Sequence, residues 1–134
     1  MKNTVSLTLA LILNMAFLSL PAHAAGDAEA GGKLFPRLCG GCHQVGESAR
    51  PGFGPQLNGI IGRVAGTSAN YVYSEAMRGS GITWDRETLT AYLKDPKGVV
   101  PGTRMIFWGL SDEEKIDNLL AYLGSFSDAS AARP

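Results

Sequence analysis

The chain has 134 residues, a length for one domain, and its 12 basic and 12 acidic residues cancel to no formal net charge. It carries no basic patch of the kind that nucleic acid demands, so that class of partner is excluded. The two cysteines allow one disulfide at most, the plain reading that any other use of them has to displace.

Residues 1–24 read as a secretory signal. Lys2 gives the positive start and Val5 to Leu20 is an uncharged, largely apolar run; Pro21 then breaks it, and Ala22-His23-Ala24 is a small-x-small cleavage site. A retained membrane anchor is the rival. The run is short against the roughly 20 apolar residues of a span, and it contains Asn14. Cleavage and export to the periplasm are therefore expected, with no stable membrane insertion afterwards. What remains is one domain over residues 25–124 and a loose Ala/Ser-rich tail over 125–134, slightly acidic once Lys2 is gone.

Ala25 to Leu38 has the spacing of a first helix. Asp27 can cap its start, and Leu34, Phe35 and Leu38 make an apolar stripe. Gly31 and Gly32 inside it mark a close crossing with another element. Pro36 removes a hydrogen bond and crowds the preceding turn, which predicts a bent end.

Cys39-Gly40-Gly41-Cys42-His43 comes next. Two thiols three positions apart, with a histidine directly after the second, is the spacing for covalent attachment of c-type haem. Each thiol adds across one vinyl group of the porphyrin, and the turn between them brings the imidazole under the iron. Glycines at 40 and 41 let the backbone lie close to the macrocycle. A structural zinc site needs four ligands, and after the leader the chain offers only Cys39, Cys42 and His43. A thioredoxin-like redox pair wants a strand–helix setting, and no strand pattern is present. A disulfide across so small a loop stabilises little. One haem c, bound through Cys39 and Cys42, is the reading that survives.

From Gln44 to Asn70 the chain is rich in glycine, proline and small polar residues, a long loop that needs a surface to lie on. A haem edge supplies one. Tyr73 to Arg78 predicts one helical turn, and Trp84 to Lys94 a clearer helix carrying Leu89, Tyr92 and Leu93, ended by Pro96. Gly98 to Gly109 reads as loop again. Ser111 with Glu114 forms a capping box for the last helix, whose face is Ile116, Leu119, Leu120 and Leu123 and whose C′ residue is Gly124.

His43 is the only histidine after the leader, which makes it the proximal ligand. For the other face of the iron, Met77 reads as core filler. Met105 sits in the Pro101-Gly102-Thr103-Arg104-Met105 turn with few apolar neighbours before it. It reads as a thioether ligand, of the kind that raises the reduction potential and fills the coordination sphere.

Cys39–His43, Gly54-Pro55-Gln56-Leu57, Gly62-Arg63, Gly81-Ile82-Thr83-Trp84 and Pro101-Gly102-Thr103-Arg104-Met105-Ile106-Phe107 occur in that order. The set resembles class I cytochrome c, more narrowly the mitochondrial type and its periplasmic bacterial relatives, from Gly26 to about Leu123. The resemblance implies an all-α cytochrome c fold, three main helices and long loops wrapped around one haem. It implies that Pro55 offers its carbonyl to the free ring nitrogen of His43, which fixes the tautomer. Tyr92 would hydrogen-bond near the Met105 sulfur. Arg63, Tyr73 and Trp84, helped by Thr103, would hold a haem propionate, and Phe107 would lie against the haem. Gly31 would let the first and last helices cross, with Phe35 reaching Leu119 and Tyr122.

The function it implies is a soluble, monomeric one-electron carrier rather than an enzyme. Donors would be a quinol–cytochrome c reductase or a periplasmic dehydrogenase, and the acceptor a terminal oxidase or reductase. A haem-c enzyme such as a peroxidase, or a gas sensor, is the competing class and would need an open or labile sixth position on the iron.

The departures from that family are informative. Met77 occupies a position where the mitochondrial proteins usually place asparagine, Pro51 stands where a histidine often pins the loop, and Pro36 has no usual counterpart. The ring of lysines around the haem edge is reduced to Lys33, Lys97 and Arg104, with a contribution from Arg50; Leu38, Gly98, Ser111 and Asp112 hold the other matching positions. Such a surface steers weakly, so Phe107-Trp108 is expected to dock partners by apolar contact with little salt dependence.

Overall fold

Asp27 opens the first helix by accepting from the Glu29 and Ala30 amides, and α1 then spans Ala28–Leu38. It runs through Pro36 without a break, and the Phe35 carbonyl accepts from both Cys39 and Gly40 at its end. The computed structural model describes residues 26–127. The leader assigned to residues 1–24 and the tail beyond Ser127 lie outside the described residues.

Among the described residues four further helices follow in chain order: α2 (Glu75–Arg78), α3 (Arg86–Lys94), α4 (Pro96–Val99) and α5 (Glu113–Gly124). Among the described residues there is no β-strand, only one isolated antiparallel bridge between Val64 and Thr83. The architecture is the expected all-α one, with α1, α3 and α5 as main helices and two single-turn pieces.

Three local expectations need correction. The α5 N-cap is Asp112, whose carboxylate accepts from the Lys115 amide, and not Ser111. Both residues are good caps, but Asp112 also holds Lys115 Nζ at 2.8 Å, a contact a serine hydroxyl lacks the charge to make. Gly124 is the last helical residue rather than the residue beyond the end; Ser125 is the C-cap. The stretch read as loop from Gly98 hides α4. Asp95 ends α3 and caps α4 in turn, accepting from the Gly98 amide at 2.9 Å, and Pro96 at the first helical position loses no hydrogen bond there.

α1 crosses α5, and α5 also packs on α3. The crossing is close because Gly31 is buried against the α5 backbone: a Cβ there would collide with the Asn118 carbonyl oxygen. Asn118 locks the same corner by accepting from the Asp27 amide at 2.6 Å. Phe35 meets Tyr122 with ring centroids 5.5 Å apart. Ile116, Leu119 and Leu120 are fully buried between these helices. Each contributes about 1.5–3 kcal/mol by leaving water, and that sets the scale of the crossing.

The long loop after His43 is not loose. Asn58 acts as a clip, accepting from the Gly46 amide and donating to the Gly46 carbonyl, both at 2.8 Å. Gly59 donates to the Phe126 carbonyl and Gly62 to that of Trp84, so the loop is tied to both ends of the helical shell. What it encloses is a cavity.

Candidate functional site

That cavity has a volume of about 360 Å³, within the roughly 300–1,000 Å³ of cofactor pockets. Cys39, Cys42 and His43 line it, and so do Met77 and Met105. The rest of the lining is chiefly apolar, with Leu57, Ile60 and Leu89 among it.

The His43 ring is fixed from two sides. Gly54 is buried directly against it, so that a Cβ at 54 would collide with the imidazole. Nδ1 lies 2.8 Å from the Pro55 carbonyl oxygen, an acceptor only, which makes Nδ1–H the donor and leaves the Nε2 lone pair free. Burial pushes the imidazole below its ordinary pKa, with the Pro55 bond opposing, so the ring is neutral at neutral pH. A neutral imidazole with its second nitrogen free is the form that ligates a metal.

The two thiols are free. Burial, then the neighbouring Cys42, pushes the Cys39 thiol up to about 11, so it stays protonated at neutral pH. The disulfide reading finds no bond here. The zinc reading finds no ligand set: among the described residues no group of three or more His, Cys, Asp or Glu could hold a metal ion. Two free thiols, an imidazole and a thioether on a largely apolar cavity suit haem c instead, with the thiols for attachment.

The expected site residues divide by position. Tyr73, Trp84, Tyr92, Thr103 and Phe107 all line the cavity. Arg63 does not. It is half-buried beside it, and its two terminal nitrogens donate to the Asn58 and Gln56 carbonyls at 3.0 and 3.2 Å. Burial lowers its pKa, with Tyr73 opposing.

The Tyr92 hydroxyl is bonded to Thr103 Oγ1 at 2.7 Å. Thr103 Oγ1 also accepts from the Met105 amide at 3.3 Å, so Tyr92 reaches Met105 through the threonine. Burial raises the Tyr92 pKa, and the Thr103 bond opposes that, so the phenol stays protonated and can donate. Trp84 packs on Tyr92 with centroids 5.0 Å apart. Met77 is buried in the core as well as lining the cavity.

Sequence reasoning missed Asn58 and Tyr71. The Tyr71 hydroxyl donates to the Phe53 carbonyl at 2.8 Å, and its ring meets Tyr73 edge-on at 4.8 Å. The Tyr71-Val72-Tyr73 spacing, which puts two rings on one side of an extended segment, was the available signal.

The cytochrome c family model matches residues 28–127. Cytochrome c-554 of Methylosinus trichosporium is 47% identical over 126 residues, covering 94% of this chain and 95% of that protein. Cytochrome c2 of Rhodomicrobium vannielii is 46% identical over 107 residues, covering 80% and 85%. Among solved structures, cytochrome cH from Methylobacterium extorquens is similar with a TM-score of 0.70 and 44% identity, covering 75% of this chain and 99% of that one. The chain therefore belongs to the cytochrome c family, electron-transport proteins with an all-α fold, and carries one haem c on Cys39 and Cys42.

Proposed function

We propose that this cytochrome is a one-electron carrier of the periplasm, not an enzyme, in which His43 Nε2 and the Met105 thioether would hold the haem iron. The observation that carries the reading is the pairing in one cavity of a neutral imidazole, already held through Nδ1, with a methionine. Haem c, when bound, supplies the one-electron couple. The chain supplies the surroundings. Pro55 orients His43, Thr103 and Tyr92 hold the backbone of Met105, and the apolar lining excludes water, which favours a high potential. Tyr73 and Trp84 serve a propionate, with Arg63 as a nearby positive charge rather than a lining group.

Two protein ligands leave no position for substrate or gas, which separates a carrier from a peroxidase or a sensor. Electrons come from a quinol–cytochrome c reductase or a periplasmic dehydrogenase and leave to a terminal oxidase, with the protein acting as a monomer. Among the described residues no helix is long and apolar enough to cross a membrane. Carbon monoxide tests the reading. The native ferrous holoprotein should not bind it, and Met105→Ala should bind it at once and lose potential by on the order of a few hundred millivolts. A native protein that takes up carbon monoxide as readily as the variant belongs to the enzyme or sensor class.

A further inference from the structure

Among the described residues seven large apolar side chains are exposed, and three of them, Leu38, Phe53 and Ile106, sit on one cavity lining. Exposed and lining at once, these three form its mouth. From Thr103 to Trp108 burial alternates: Thr103, Met105 and Phe107 are half-buried, while Arg104, Ile106 and Trp108 are exposed. This corrects the expectation for Phe107-Trp108, which differ in burial. Trp108 is 99% exposed, Ile106 91% and Phe53 89%. Phe53 and Ile106 edge the opening and Trp108 follows Ile106 by two residues along the chain; large apolar groups so fully in water mark an interaction surface.

Charge is scarce at the same place. Among the described residues and apart from His43, Arg104 is the only basic or acidic side chain on the cavity lining, and its Nη2 is engaged by the Val72 carbonyl at 2.7 Å. Lys33, which the family pattern would count toward a positive ring, is paired with Glu29 at 2.7 Å. The rim of four side chains presents on the order of several hundred Å². That is below the roughly 800 Å² per partner of a standard stable interface, and inside the range of weak electron-transfer encounters. Too small for a lasting dimer and too uncharged for an acidic partner, it fits one occupant.

We infer that Leu38, Phe53, Ile106 and Trp108 form an apolar docking rim for a redox protein whose own face is uncharged and apolar, with Trp108 as its anchor. The inference rests on the electron-carrier reading. Association is then held by desolvation of the rim, and electrostatic steering contributes little, so productive contact is nearly independent of salt.

The test uses the full-length holoprotein on gold electrodes coated with methyl-terminated or carboxylate-terminated alkanethiol monolayers, which stand in for uncharged and acidic partner faces. The native protein should give its surface redox wave on the methyl layer and keep the rate within about twofold from low to high salt. Trp108→Ser should slow electron transfer there by about tenfold or more, with its haem spectrum and solution potential unchanged. Ile106→Ser, measured the same way, should show a smaller loss. A native wave confined to the carboxylate layer and abolished by salt would overturn the rim, as would a Trp108→Ser rate equal to native. Sedimentation as a dimer, or pelleting with phosphatidylcholine vesicles, would put a second copy or a bilayer on the rim and overturn it too. A protein without a haem c spectrum or a solution wave would instead sink the carrier reading itself, so the two failures are distinguishable.

Discussion

The Cys39–Leu57 segment and the Thr103–Leu110 segment line one cavity but are held in unlike ways. In the first, the backbone ties itself: His43 and Cys42 donate to the Cys39 carbonyl at 2.8 and 3.0 Å, Gly54 donates to Cys42 and Leu57 to Gln44. In the second, the ends are anchored, Thr103 to Val100 and Leu110 to Leu93, and side chains tie the middle. Arg104 donates to the Val72 carbonyl, and Thr103 is bonded to Tyr92 of α3 and to the Met105 amide. The histidine side is therefore set by local turns, whereas the methionine side is set by the positions of α3 and Val72. The first should resist perturbation elsewhere in the molecule, and the second should loosen with it.

The largest effect that would break this contrast is a strike at the rigid side. Gly54→Ala forces a methyl into the His43 ring, and the holoprotein should lose about 3 kcal/mol or more in denaturant unfolding. A variant of native stability would show that the His43 side yields after all. On the softer side, Thr103→Val leaves the Tyr92 hydroxyl without its partner and should cost about 1–3 kcal/mol. Amide exchange should then rise across residues 103–110 and not across 39–57. Tyr92→Phe is the milder cut, because Thr103 keeps the Met105 amide; about 0.5–1.5 kcal/mol is expected. The double variant should cost less than the sum of the two, as it must if they report one bond.

The smallest effect lies away from the cavity, at the helix caps. Asp85 is held below the ordinary carboxylate value by the Thr88 amide and hydroxyl, and Asp112 by Lys115. Because each folded value is depressed, the cap contributes fully above the unfolded value near 3.8 and fades as pH falls through the lower folded one. First-turn amides of α3 and α5 should lose protection at acid pH while those around His43 stay slow. Equal loss in both places would mean that global unfolding, not the caps, dominates.

The same contrast explains what was legible in the sequence. Cys39, Cys42 and His43 were readable because five consecutive residues make the geometry, with no help from afar. The Gly31 crossing was readable too, since a glycine pair inside an apolar stripe has few other reasons to be there. Asp112 as the α5 cap was not, because Ser111 beside it offers the same chemistry. α4 hid behind a proline and a glycine, residues that announce loops except where an aspartate caps them. The half-buried Phe107 beside the exposed Trp108 belongs to an alternation of burial over 103–108 that nothing in the composition of that stretch announces. That Tyr92 meets Thr103 is a fact of how α3 lies against the loop.

The central claim is that, of the two methionines lining the cavity, Met105 and not Met77 ligates the iron. The weak far-red band of methionine-ligated ferric haem, recorded on Met77→Leu and Met105→Leu holoproteins, tests it most directly. The account predicts that the band survives in Met77→Leu and vanishes in Met105→Leu. A band that vanishes in Met77→Leu and survives in Met105→Leu would contradict it.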